Sequence, residues 1–162
     1  MCDPSISRFE STGLFSTGIQ TDPHSGHFNG KSNIEKVFTD SEKVDASCIA
    51  CKNQTVLVRK TVLHEPPRFI CINFNLFNNQ LRKIEAISDP FTTVQITTSQ
   101  GPVAYTVIAT VEHIGLQISN GHYVAHIVKH GNWFHCDDTN IQKIDDQSPT
   151  KKPYLVILLK SD

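Results

Sequence analysis

Two strand-like runs, Tyr123–Val128 and Trp133–Asp137, flank a short polar segment that contains Gly131. Side chains alternate along a strand, and antiparallel neighbours close through turns of a few residues, so this spacing commits the region to a β-hairpin. His122 stands at the mouth of the first strand, between Gly121 and Tyr123, and Asp137-Asp138 ends the second. An aspartate beside an imidazole fixes its tautomer and stabilises its protonated form, so the pair is suggestive of acid–base chemistry. Gly121 reads as a positive-φ residue that lets the chain enter the strand sharply.

The register of the hairpin decides whether the two residues meet. A four-residue loop over Val128–Gly131 sets Ile127 against Asn132 and His122 against Asp137. A two-residue Gly131-Asn132 turn pairs His126 with Asp137 and leaves His122 four residues away, roughly 13 Å along the strand. Both remain open at this stage.

The rest of the chain reads as strands with few helices. Ile70, Ile72, Phe74 and Leu76 alternate within Arg68–Leu76, and Val56, Val58 and Val62 do so within Gln54–Leu63. Thr92–Thr98 and Val103–His113 are separated by Ser99-Gln-Gly-Pro102, and Pro153–Lys160 reads as a fully buried strand. Ser32 and Glu35 have capping-box spacing, with Ile34, Val37 and Phe38 on one face of a short helix at about 33–39. Residues 1–31 are rich in Ser, Thr, Gly and Asp and read as an irregular segment with at most a short strand near Gly13–Ile19. The expected fold class is α+β and β-rich: a mainly antiparallel sheet with one or two short helices over residues 32–162.

Charge excludes some partners. The 15 basic and 16 acidic residues nearly cancel, which gives no electrostatic footprint for nucleic acid. The apolar run Tyr154–Leu159 is too short to cross a bilayer, so no membrane partner is expected. Met1–Ile19 lacks the basic-then-apolar plan of a secretion signal, and five cysteines are an odd count, so the expectation is an intracellular protein in a reducing compartment. Cys48-Ile-Ala-Cys51 has zinc-ligand spacing, but a closed structural site takes four ligands, and only His24 and His27 stand nearby to complete it. The working expectation is no cofactor, with Cys48 and Cys51 as candidate metal ligands. Cys71 reads as a small buried hydrophobe, and Cys136 faces away from Asp137.

Five segments in order carry a resemblance. They are Tyr105–Gly115 with its His113-Ile-Gly115, Gly121-His-Tyr-Val-Ala125, Trp133-Phe-His-Cys-Asp-Asp138, Tyr154–Leu159, and, upstream, Cys48-x-x-Cys51 with Pro66-Pro-Arg-Phe-Ile70. Together they resemble the C-terminal half of the ubiquitin-specific protease catalytic domain, over roughly Ser32 to Lys160. The resemblance implies the palm-and-fingers part of a papain-like cysteine peptidase acting at the C-terminus of ubiquitin or a ubiquitin-like modifier. His122 is then the general base, Asp137 the residue that orients it and Asp138 a neighbouring acid, with Gly121 and Tyr123 as substrate-binding residues. Cys136 before paired aspartates resembles the related SUMO-isopeptidase branch. The cysteine box of the family has no counterpart in Met1–Lys31, and Cys2 lacks its surroundings, so the chain alone is expected to be inactive. The alternative reading is a non-catalytic adaptor that binds ubiquitin or SUMO. Without a helical subdomain over the sheet, Ile108, Val124 and Val156 are expected to be partly uncovered.

Overall fold

The computed structural model describes residues 14–19, 21–48, 51–145 and 151–162. Its elements in order are β1 (Leu14–Gly18), β2 (His27–Phe28), α1 (Gly30–Val37), β3 (Ser41–Ser47), β4 (Gln54–Lys60), β5 (Phe69–Asn75) and β6 (Ile87–Ser88). They continue with β7 (Thr93–Thr98), β8 (Gly101–Gln117), β9 (Asn120–Lys129), β10 (Asn132–Asp137), β11 (Asn140–Ile144) and β12 (Leu155–Lys160). The α+β, strand-rich reading holds. β1 lies within the segment where a short strand was expected, and it pairs in parallel with β5.

One sheet organises the molecule, in the order β1-β5-β12-β8-β9-β10-β11, with β7 also paired to β8. β8 makes this width attainable because it is 17 residues long. Its first part pairs with β7 from Gly101↔Thr98 to Thr106↔Thr93, and its later part pairs with β9 from Ala109↔Ile127 to Gln117↔Asn120. The opposite edge of β8 pairs with β12, where Val107 meets Leu158 and Ala109 meets Ile157. Ile108 is therefore the extra residue of a β-bulge, which reverses the alternation so that Tyr105, Val107 and then Thr110 all turn to the core.

The core side of the sheet is built from the alternating residues the sequence displays. Ile70, Ile72 and Phe74 of β5, Val156 and Leu158 of β12, and Val94 and Ile96 of β7 are all 0–1% exposed. Burying each such side chain contributes roughly 1.5–3 kcal/mol before chain entropy is counted. The cover comes from α1 and its flanks: Ile34 and Phe38 are fully buried, Phe15 meets Phe38 edge-on at 5.0 Å, and Phe28 meets Phe74 at 5.4 Å. Val124 and Val156 are buried, contrary to expectation, and Ile108 is half-buried. The helix starts earlier than the Ser32–Glu35 spacing suggests. Asn29 is the N-cap, and its side chain accepts from the Ser32 amide at 2.8 Å.

Outside this sheet, β3 and β4 form a two-stranded ribbon from Ser41↔Lys60 to Ser47↔Gln54. The alternation in β4 leads nowhere: Val56 is 54% and Val58 65% exposed. The polar strand β3 has no apolar period, so only its backbone pairing marks it as a strand. The ribbon ends at Cys48, whose carbonyl accepts from the Lys52 amide at 2.8 Å, with Lys52 at φ 62°.

Candidate active site

The hairpin that carries His122 takes neither of the two expected registers. Lys129 pairs with Asn132, so the turn consists of His130 and Gly131, both with positive φ at 50° and 73°. Two consecutive left-handed residues make the tight turn whose twist matches the flanking strands, and glycine at the second place removes the Cβ penalty. His135 then faces His126, with Nδ1 and Nε2 3.1 Å apart, and Cys136 faces Ala125. Continued by one residue, this register sets Asp137 opposite Val124 rather than His122.

His122 nevertheless reaches Asp137. The two are diagonal neighbours on one sheet face, a separation that long side chains close. Nε2 of His122 lies 2.5 Å from Oδ1 of Asp137. Asp138 follows in the next tight turn at φ 49°, and the His122 nitrogen and both carboxylates lie within 4.8 Å of one another. The hydrogen bond to Asp137 is the main cause that holds the His122 pKa above its ordinary 6.5, and the charges of Asp137 and Asp138 add to it. With Nε2 held by the carboxylate, Nδ1 is the nitrogen left to exchange a proton with a reacting group. The side chains are 44% and 41% exposed, so the pair is open to solvent.

The other expected site residues fall out differently. Gly121 does not have positive φ, and its reason for being glycine is space. A Cβ there would overlap His113 Nε2 and lie 2.7 Å from Cε1 and 2.8 Å from the Ile114 carbonyl. Tyr123 is 49% exposed, with its ring 4.9 Å from that of His113. Cys48 and Cys51 stand at the ribbon tip outside any disulfide, and among the described residues they belong to no group of three or more histidine, cysteine or carboxylate side chains that could hold a metal ion. His27 instead faces Asp89 at 3.5 Å. Two thiols do not make a closed zinc site. Cys71 is half-buried, and burial raises its pKa. Cys136 alternates to the face opposite Asp137. Cys2 lies outside the described residues. None of the described cysteines bonds to His122.

One residue had more to say than its sequence context suggested. His113 is only 1% exposed, packed among Phe77, Tyr123 and Tyr154. The glycines at 115 and 121 were the available signal, since both crowd its ring.

Comparison with known proteins resolves the kinship of this arrangement. A family model described as ubiquitin carboxyl-terminal hydrolase matches residues 14–158. The chain belongs to the ubiquitin carboxyl-terminal hydrolase family. It is 27% identical over 135 residues to ubiquitin carboxyl-terminal hydrolase 10 of Saccharomyces cerevisiae, covering 78% of this chain and 17% of that protein. It is 26% identical over 140 residues to human ubiquitin carboxyl-terminal hydrolase 3, covering 76% of this chain and 27% of that protein. Among solved structures, the SAGA DUB module bound to monoubiquitin matches with a TM-score of 0.69 at 18% identity, over 91% of this chain and 35% of that one. The same module bound to ubiquitin aldehyde matches with a TM-score of 0.69 at 17% identity, over 91% of this chain and 36% of that one. The fold is therefore that of the papain-like ubiquitin-specific proteases. The chain spans about a sixth to a quarter of the length of those two relatives.

Proposed function

We propose that this chain is the base-bearing portion of a cysteine-type deubiquitinase, with His122 as general base and Asp137 as the residue that orients it. The observation that carries the reading is the 2.5 Å contact between His122 Nε2 and Asp137 Oδ1 on an open sheet face. The nucleophile is a cysteine thiol supplied from outside the described residues. His122 Nδ1 takes the thiol proton, and the resulting imidazolium is held by Asp137 through Nε2–H. The thiolate adds to the carbonyl at the C-terminus of ubiquitin, and the imidazolium then protonates the leaving amine. Neutral His122 next takes a proton from water, which attacks the thioester and frees the enzyme. Gly121 and Tyr123, which flank the base along β9, are the proposed contacts for the ubiquitin tail. Thiolate chemistry of this kind suits the reducing interior of the cell.

Taken alone, base and orienter do not form the acyl-enzyme, so the chain is inactive without that thiol. The test is a fluorogenic ubiquitin thioester. The chain alone gives no turnover, and supplying the cysteine-bearing portion of a relative restores turnover that His122→Ala abolishes. Turnover that survives His122→Ala overturns the assignment. Saturable ubiquitin or SUMO binding, indifferent to His122→Ala and without restorable cleavage, assigns the chain instead to a non-catalytic adaptor.

A further inference from the structure

Strand alternation puts His122 on one face of β9, toward Asp137, and Gly121 and Tyr123 on the other. On that second face the ring of His113, from β8, lies directly against Gly121. A Cβ on Gly121 would overlap His113 Nε2, and one on Gly115, which has φ 142°, would lie 3.3 Å from His113 Cε1 and 2.8 Å from the Asn120 carbonyl. Both glycines are thus fitted around one imidazole at the place where the β8–β9 register slips, between Ile114 and Gln117.

The ring itself is held on several sides. Phe77 meets it edge-on at 5.5 Å, Tyr123 lies at 4.9 Å and Tyr154 at 6.3 Å. Lys83 holds the same residue from behind: its ammonium donates to the His113 carbonyl, and its amide donates to the Leu116 carbonyl at 2.9 Å. Nδ1 of His113 is buried with no hydrogen-bond partner. A polar atom left bare in this way is unfavourable, so the site retains an imidazole against its own stability. Burial and the Lys83 charge both lower the His113 pKa, which keeps the ring neutral beside the cationic side chain.

We infer that His113 is a positioning residue for His122: its imidazole is the stop against which Gly121 rests, and this contact sets the diagonal reach of His122 to Asp137. The inference rests on the reading of His122 as the base, but it concerns the geometry of the pair and not the substrate. Without the stop, the backbone at Gly121 settles toward the vacated space, and His122, on the far side of the strand, withdraws from the carboxylate. Gln reaches the place of Nε2, whereas Asn does not.

Heteronuclear NMR titration of the His122 ring in the full chain tests this, on native protein, His113→Asn and His113→Gln. Asp137 and Asp138, grouped with His122, and Glu112, paired with Val124 across β8 and β9, all remain unchanged in the variants. In native protein and in His113→Gln, His122 titrates above the ordinary imidazole value. In His113→Asn, with native Trp133 fluorescence, the midpoint falls back toward that value. A folded Asn variant in which His122 titrates as in native protein overturns the inference, as does a folded Gln variant that loses the shift. Loss of the fold in both variants assigns the ring to stability alone and overturns it too. No ubiquitin and no nucleophile enter the measurement, so a failure of the deubiquitinase reading stays distinguishable.

Discussion

His122 and Asp137 meet diagonally across β9 and β10, 2.5 Å apart, although the residue directly opposite Asp137 in the continued register is Val124. A hairpin has several registers that bring two residues to one face, and this pair needs only that they share a face and lie within one diagonal step. Because the link is a charge-assisted hydrogen bond, its strength depends on the protonation of His122.

The first prediction follows from that dependence. The folded-state pKa of His122 is raised, so the folded state binds its proton more tightly than the unfolded state does. The pair therefore stabilises the fold fully at mildly acidic pH, below the ordinary 6.5, and the contribution is lost as pH rises through the raised value. Urea unfolding of native protein and Asp137→Asn, compared at mildly acidic and alkaline pH, should show the larger difference on the acidic side. An equal difference at both would show that the carboxylate contributes something other than this link.

His113 works with the opposite sign. Its folded-state pKa is lowered by burial, so the unfolded chain takes up a proton that the folded chain resists. Native protein should lose stability through this residue as pH falls below the ordinary 6.5, and His113→Gln should remove that part of the acid loss. Melting midpoints measured across this range for the two proteins check it.

The turn at His130-Gly131 is the third point. Both residues are left-handed, and a Cβ in that region costs roughly 1–2 kcal/mol. No atom crowds a Cβ at Gly131, so Gly131→Ala should cost about that amount through backbone strain alone. His130→Asn, with a residue better suited to positive φ, should raise the urea midpoint. If Gly131→Ala is neutral, the turn has relaxed into another form and the His122–Asp137 contact should weaken with it.

A fourth contrast separates the sheet from the ribbon. Ile72→Ala, at a fully buried position, should cost about 2–5 kcal/mol. Val58→Ala, 65% exposed on β4, should stay within about 0.5 kcal/mol although both positions sit in strands with the same apolar alternation. A large loss at Val58 would mean that the ribbon is covered in solution.

Much of this was legible along the chain. Alternation at Ile70, Ile72 and Phe74 marked β5 and its buried face, and Ile34 and Phe38 marked the covering helix. Gly131 marked a turn, and the hairpin placed His122 and Asp137 at its two ends. Other parts had no such mark. β3 and β11 are short on apolar residues, and each is a strand because a neighbour offers it a backbone ladder. Val56 and Val58 show the reverse: a clean alternation with no core to meet.

By itself the sequence determined which segments alternate, where left-handed residues permit a turn, and which side chains bring acid–base chemistry. Those are properties of neighbours along the chain. The tertiary structure alone decided the register, and with it that His122 reaches Asp137 by a diagonal. Register depends on which two residues the turn uses and on the pleat of both strands at once. The structure alone also decided why residue 121 is glycine. The cause is a ring on another strand, His113, pressed against the face that His122 does not use, and such a constraint exists only once the two strands lie side by side.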